Sequence, residues 1–210
     1  MKKTLALFVL LAACGGKLPE TRFYSFAQPA GPHVDPTGVV IAIQPLEVAP
    51  AYDDERIVYR TNPYRLDYYN YHRWSTTPGT LVADYLERAF EHSGKFRGVT
   101  RDSESAPVTL GGRIIAIEEV DQNKTHWVGR IVVELTLTAT ASGDVLWTDQ
   151  YEELEPLKVQ TPEGLARALS DAMAHIAQKV LPIVTNLAVQ TAQATASKGA
   201  TPSRAARLKP

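Results

Sequence analysis

Side chains at residues 127–140 alternate between two chemical characters, and this alternation constrains the fold more than any other stretch. The first set comprises Trp127, Gly129, Ile131, Val133, Leu135, Leu137 and Ala139, and the second includes Arg130, Glu134, Thr136, Thr138 and Thr140. A period of two is that of a β-strand with one face in the core. Strand-like sequence at 108–120 and 145–151, with turn residues at 121–124 and 142–144, predicts an antiparallel meander.

Two amphipathic helices flank this meander in the sequence. Thr77 and Thr161 are each followed by a proline, which is the pattern of an N-cap followed by the first helical position. Gly94 is expected to end the first helix, and Pro182 to end or kink the second. The order of strands, helix, strands and helix predicts an α+β fold of two layers, with both helices packed on one face of a largely antiparallel sheet.

The composition of the remaining segments predicts further strands and the limits of the domain. Residues 39–46 are almost continuously apolar, which predicts a strand buried on both faces in the middle of the sheet. Shorter strands are predicted at residues 21–26 and 96–100. From Gln190 onwards small and polar residues dominate without an apolar period. We therefore predict one domain at residues 21–186 and a disordered tail at residues 187–210.

The first residues have the three-part pattern of a secretory signal. A basic start precedes an apolar run at residues 5–11 that is too short to span a bilayer, and Ala12, Ala13 and Cys14 follow shortly after it. The thiol of Cys14 is the only nucleophile nearby that could take a thioether-linked diacylglycerol. The pattern resembles that of bacterial lipoproteins. It predicts removal of residues 1–13 and lipid attachment at Cys14, the alternatives being an ordinary signal peptide or a buried strand.

Lipid attachment would define where the domain works. Residues 14–20 are small and polar, as in a flexible tether, and Gly15 is typical of lipoproteins sent to the outer membrane. We therefore expect the periplasmic face of the outer membrane. Cys14 is the sole cysteine, so no disulfide is expected. No later segment is expected to cross a membrane, and a net charge of −1 with interspersed signs gives no basis for nucleic-acid binding.

Aromatic residues and arginines cluster between residues 49 and 75. Residues 56–60 and 65–69 are predicted to be two short strands that face each other across a turn at Asn62 and Pro63. In one interpretation this is an aromatic-covered sheet in which Arg60, Arg65 and Arg73 stack or pair with Asp53, Asp54 and Asp67. In the other it is a recognition surface, since Tyr, Trp and Arg are common at interface hot spots. The candidate docking residues are Tyr52, Arg56, Tyr59, Arg60, Tyr68, Tyr71, His72 and Trp74.

No motif in the chain calls for catalysis. The sequence contains neither a nucleophile elbow, nor a zinc-binding helix motif, nor a glycine-rich phosphate loop. The histidines stand at no metal-ligand spacing; they are His33, His72, His92, His126 and His175. The acidic run 53–55 is typical of a solvated turn. We expect no catalytic residues, no metal and no cofactor other than the covalent lipid on Cys14.

The order of these features resembles a known family. A lipid-attachment cysteine is followed by Arg22-Phe23-Tyr24, an apolar strand, Ile57-Val58-Tyr59-Arg60, Tyr71-His72-Arg73-Trp74 and a proline-initiated helix. This order is similar to that of the ABC-type transport auxiliary lipoproteins, the PqiC-like lipoproteins. The resemblance implies a non-enzymatic outer-membrane component of a system that moves phospholipid or other hydrophobic solutes. The implied partners are a mammalian-cell-entry (MCE) domain protein in the periplasm and, through it, an ABC permease and ATPase.

The sequence is compatible with more than one assembly and more than one function. The chain can form a homo-oligomer on its partner, and the block at residues 52–74 can supply the docking surface for the MCE-domain protein. A structural lipoprotein that binds cell wall or an outer-membrane assembly machine would share the anchor and the lack of chemistry. A periplasmic hydrolase would need a concave site with convergent titratable groups.

Overall fold

A computed structural model describes residues 19–29 and 38–199 of the chain, so the predicted signal sequence, Cys14 and residues 200–210 lie outside the described part. The strands are β1 (Arg22–Tyr24), β2 (Val40–Ile43), β3 (Glu47–Val48), β4 (Arg56–Asn62), β5 (Arg65–Trp74), β6 (Gly98–Thr100), β7 (Val108–Asn123), β8 (His126–Ala139) and β9 (Val145–Pro156). The helices are α1 (Pro78–His92) and α2 (Pro162–Gly199). All nine strands belong to one sheet, which gives the predicted α+β class.

The 16-residue strand β7 organises the sheet. Along one edge it pairs successively with three strands, with β2 at Leu110, with β3 at Ile114 and with β4 at Glu119. Along its other edge it pairs with β8 over nearly its whole length, and β8 pairs with β9. The hairpin of β4 and β5 therefore joins the body of the sheet through β7, and β1 extends the sheet beyond β5.

The sheet is mixed, so the prediction of a largely antiparallel sheet was wrong. Antiparallel pairs join β4 to β5, β7 to β8 and β8 to β9. Parallel pairs join β1 to β5, β2 to β6, and β7 to each of β2, β3 and β4. Alternation in sequence identifies strands and hairpins, but it contains no information about which distant strands meet. Parallel partners are necessarily distant, because they need a crossover connection.

The predicted meander of β7, β8 and β9 is confirmed, and so is the central apolar strand. Ile131, Val133 and Leu135 on the core face of β8 are fully buried. In β2, Ile41 and Ile43 are fully buried, with β6 on one edge and β7 on the other. The ends of the strands differ from prediction, since β7 continues through Asn123 and β9 through Pro156.

Both predicted helix starts are confirmed. Pro78 and Pro162 are the first residues of α1 and α2, and the Thr161 hydroxyl accepts a hydrogen bond from the Gly164 amide at 3.1 Å. Gly94, just beyond α1, has a positive φ of 64°, which a side chain would disfavour. The helix starts follow directly from local sequence.

Helix α2 does not end at Pro182, which was one of the two outcomes expected for that proline. The helix passes through Pro182 and extends to Gly199, so residues 187–199 are helical rather than disordered. Val184 and Ala188, both beyond the proline, are fully buried. Their packing offsets the cost of a proline inside a helix, about 3 kcal/mol.

Helix α2 is long and apolar enough to cross a membrane, contrary to the expectation that no later segment would be. By length and composition alone, the segment Pro162–Ser197 is a candidate span. Its apolar side, however, lies in the protein core, where Leu165, Leu169 and Ile176 are fully buried. The core helix of a soluble domain passes the same test of length and composition. Side chains of α2 pack closely on Gly129 of β8. A Cβ at Gly129 would lie 3.2 Å from Leu165 Cδ1.

Candidate docking surface and buried carboxylates

The hairpin of β4 and β5 contains most of the predicted docking residues, and the structure separates them into buried and exposed groups. The predicted strand pair and its turn are confirmed, with β5 longer than expected because it runs on to Trp74. The same hairpin lies beside two carboxylates of β7, Glu118 and Glu119, which the sequence did not single out.

Tyr52 and Trp74 are removed from the docking set because they lie in the core. Only 1% of Trp74 is exposed, and its ring meets that of Phe26 edge-on with centroids 5.7 Å apart. Tyr52 is 6% exposed, and its hydroxyl donates to a Glu118 carboxylate oxygen at 2.8 Å. Neither side chain can contact a partner in this conformation, so both are structural.

Glu118 is the centre of a buried ionic cluster. Its carboxylate is 1% exposed; Oε2 lies 3.1 Å from Nη2 of Arg60, and Oε1 accepts from Nη1 of Arg130 at 2.9 Å. Burial, together with the hydrogen bond to this carboxylate, raises the pKa of Tyr52. In one interpretation of the sequence Arg60 stacks on an aromatic ring or pairs with an aspartate, whereas in the structure it pairs with Glu118. Two consecutive glutamates in the otherwise apolar run at residues 114–120 were the available signal for such a cluster.

Glu119 points to the opposite face of the sheet, as the next residue of a strand must. It is fully buried, and its Oε1 accepts a hydrogen bond from the Tyr69 hydroxyl at 2.7 Å. Burial is the main cause that raises the pKa of Glu119 to about 7, while the Tyr69 hydrogen bond opposes that shift and the neighbouring Asp121 adds to it. Burial also raises the pKa of the Asp121 carboxyl.

The predicted docking residues Tyr59 and His72 are half-buried and belong to an aromatic cluster around Tyr69. The rings of Tyr59 and Tyr69 lie 4.8 Å apart, and His72 meets Tyr69 edge-on at 5.4 Å. The Tyr24 hydroxyl lies 2.7 Å from His72 Nδ1. These contacts join β1, β4 and β5. Tyr59 and His72 therefore have a structural role between the strands.

Half-buried and exposed side chains at the surface of the hairpin are aromatic or basic, and Arg56 and Tyr68 are the half-buried ones. The Arg56 guanidinium lies 4.4 Å from the centroid of the Tyr68 ring, a cation–π contact, and its Nη2 is 2.7 Å from an Asp54 oxygen. Tyr71 is 41% exposed. The sequence had not singled out two further exposed aromatics, Phe23 (63%) and Tyr64 (96%). We call Phe23, Arg56, Tyr64, Tyr68 and Tyr71 the hairpin surface.

Asp54 and Asp67 of the block are engaged in local contacts. Asp54 accepts from the Arg56 amide at 2.7 Å as well as from its side chain, and the Arg56 contact lowers the pKa of Asp54. Arg65 pairs with Asp67 at 2.7 Å, as one interpretation of the sequence had it. The pairing interpretation is therefore confirmed for Arg65 with Asp67, while Asp54 pairs with Arg56 instead. The recognition surface stays a prediction.

One histidine is brought close to two carboxylates that are distant in sequence. His175 Nδ1 on α2 lies 2.9 Å from Glu155 Oε1 and 3.9 Å from Glu153 Oε2 on β9. Three ligand atoms of this group lie within 4.8 Å of one another, a spacing that could hold a metal ion. The Lys179 ammonium already contacts Glu153 at 2.5 Å. Contacts of His175 and Lys179 with the two glutamates therefore join α2 to β9.

Comparison with known proteins gives a family and a fold. The model of the family described as ABC-type transport auxiliary lipoprotein component matches residues 24–181. Protein XCC0632 from Xanthomonas campestris is 19% identical, with a TM-score of 0.66, and the match covers 82% of this chain and 99% of that one. A second solved structure, of an uncharacterized protein, is 11% identical with a TM-score of 0.64 and covers 79% and 99%. No curated protein matches the chain. At these identities the structures establish the fold alone.

Proposed function

Since the chain belongs to the family of ABC-type transport auxiliary lipoprotein components, we propose that it is a non-enzymatic docking subunit of an envelope transport system. Its direct partner is an MCE-domain protein of the periplasm, which connects it to an ABC permease and ATPase. The system moves phospholipid or another hydrophobic solute between the membranes. The chain contributes attachment and position, and its partners contribute the energy.

The observation that carries this proposal is the location of the exposed aromatics. Within the described residues, the exposed large aromatic side chains are Phe23, Tyr64 and Tyr71, and all lie on β1, on β5 or in the turn before β5. Exposed apolar side chains cost solvation free energy and are typical of interaction sites when they concentrate on one element. Arg56, stacked on Tyr68, adds the other residue type that is enriched at interface hot spots.

The hairpin surface is supported as a rigid platform. Arg60 holds β4 to Glu118 of β7, and Tyr69 holds β5 to Glu119 of β7. The rings of Tyr69 and His72, both on β5, also contact each other edge-on at 5.4 Å. A surface fixed in this way loses little conformational entropy on binding, which favours affinity.

The lipid on Cys14 places this surface near the membrane. Cys14 precedes Phe23 by nine residues, a span of at most roughly 30 Å when fully extended. Acyl chains contribute about 0.8 kcal/mol per buried methylene, so two or three chains give a lasting anchor. We place the anchor in the outer membrane, so that the domain presents β1 and β5 to a periplasmic conduit close to the periplasmic face.

Site-specific crosslinking in living cells tests the proposal. A photoreactive amino acid replaces Tyr71 in the hairpin surface and, as a matched control, Leu154, which is 48% exposed on β9. The proposal predicts a crosslink to the MCE-domain protein from position 71 and none from position 154. Equal crosslinking at both positions would reject the hairpin surface, and no crosslink to an MCE-domain protein from either would reject the partner.

A further inference from the structure

Two carboxyl groups on one face of β7 each have a buried oxygen that no group among the described residues satisfies. Glu119 and Asp121 are two residues apart on one strand, so they lie on the same face of the sheet. Glu119 Oε2 and Asp121 Oδ1 are both buried, and neither has a hydrogen-bond partner among the described residues. The other Glu119 oxygen is taken by the Tyr69 hydroxyl.

Two ionised carboxylates in this position would be costly. Buried polar atoms are nearly always hydrogen-bonded, and like charges that share a buried site raise each other's proton affinity. A single proton removes both difficulties, because the protonated oxygen of Glu119 can donate to Asp121 Oδ1. We propose that Glu119 and Asp121 hold one proton between them at neutral pH, as a carboxylic acid–carboxylate hydrogen bond within the sheet.

The groups packed around the pair favour a proton over a cation. β5 contributes the Tyr69 hydroxyl, β4 contributes Tyr59 as the register partner of Glu119, and β8 contributes Gly129. Beyond Tyr69 lie two further titratable groups: His72, in ring contact with Tyr69, and Glu163 of α2, which is 3.5 Å from the Tyr24 hydroxyl beside His72. These groups do not supply the six to eight oxygens that Ca²⁺ prefers.

The raised pKa of Glu119 determines how the stability of the folded chain changes with pH. The pKa of Glu119 lies at about 7 in the folded chain against an ordinary value of 4.5. Between these values the folded state binds more protons than the unfolded state, so stability falls as pH rises through this window. The stabilising contribution is complete below the lower value and is lost once pH passes the higher one.

Urea unfolding followed by circular dichroism tests the shared proton. The wild type is expected to lose stability as pH rises from about 5 to about 8, and Glu119→Gln, whose amide can donate to Asp121 without titrating, is expected to lose much of that dependence. Asp121→Asn should also reduce it, because the new amide can donate to an ionised Glu119. Glu134→Gln, an exposed carboxyl on β8, is the matched control and should keep the wild-type dependence.

Two results would overturn the proposal. One is a pH dependence of Glu119→Gln that matches that of the wild type over the whole range. The other is stabilisation of the wild type, but not of Glu119→Gln, by added Ca²⁺ or Na⁺ at about pH 8, which would identify a cation in place of the proton. The inference concerns the folded chain itself and does not depend on the proposed function.

Discussion

Arg60 and Glu118 form an ion pair that connects the β4–β5 hairpin to the longest strand of the sheet. Arg60 Nη2 on β4 lies 3.1 Å from Glu118 Oε2 on β7, and the Glu118 side chain is 1% exposed. A buried carboxylate depends on its partners, because removing one leaves charge without compensation. The residue that sequence reasoning offered as a docking contact thus holds the hairpin in place.

Arg60→Ala is therefore expected to act on stability. We predict a fall of about 2 kcal/mol in the free energy of unfolding, since Glu118 loses charge-assisted hydrogen bonds but keeps those from Tyr52 and Arg130. Arg65→Ala, which removes an exposed pair with Asp67, should cost less than about 1 kcal/mol. Urea unfolding of both variants measures the difference, and equal costs would show that the Glu118 cluster contributes little.

Trp74→Ala is expected to destabilise the domain by about 3–5 kcal/mol, because it removes a nearly fully buried aromatic ring from the core. Tyr71→Ala, three residues earlier and exposed, should change the free energy of unfolding by less than about 1 kcal/mol. Thermal unfolding monitored by circular dichroism compares them. A Trp74→Ala variant as stable as Tyr71→Ala would contradict the assignment of Trp74 to the core.

Two adjacent glycines of β7 should respond differently to the same substitution. A Cβ at Gly112, where φ is 147°, would lie 2.0 Å from the Glu134 carbonyl oxygen, whereas a Cβ at Gly111 meets nothing within 4 Å. Gly112→Ala is expected to cost at least about 2 kcal/mol, and Gly111→Ala less than about 1 kcal/mol. Chemical denaturation gives both values, and similar costs would mean that the β7–β8 pairing differs from that described.

Cys14→Ala tests the anchor separately from the fold. Without the thiol the proposed thioether to diacylglycerol cannot form, so the variant would have no acyl chains at this position to hold it in the bilayer. We predict that the variant moves from the membrane pellet to the soluble periplasmic fraction, with an unchanged circular dichroism spectrum. A variant that stays in the pellet would show that another part of the chain holds it at the membrane.

Local signals in the sequence predicted local structure well. The threonine–proline pairs at residues 77–78 and 161–162 located both helix starts, and the alternation at residues 127–140 located β8 and its core face. The turn at Asn62 and Pro63 located the hairpin of β4 and β5. These features depend on neighbouring residues, which is why single-sequence reasoning could find them.

Features that depend on distant contacts were missed. The parallel pairs of β7 join segments separated by the whole of α1 and more, so the mixed sheet had no local signal. Residues after Pro182 are helical because Val184 and Ala188 pack in the core, a contact that composition does not reveal. For the same reason the sequence could not tell that Trp74 is buried while Tyr64 is exposed.

The most direct test of the docking role is the equilibrium dissociation constant between the lipid-free domain and the purified MCE-domain protein. The wild type should bind, and Tyr71→Ala and Phe23→Ala should each weaken binding about tenfold, equivalent to about 1.4 kcal/mol. Leu154→Ala, exposed on β9, should bind as the wild type does. A wild type that does not bind, or hairpin variants that bind as tightly as Leu154→Ala, would contradict the docking role proposed for this surface.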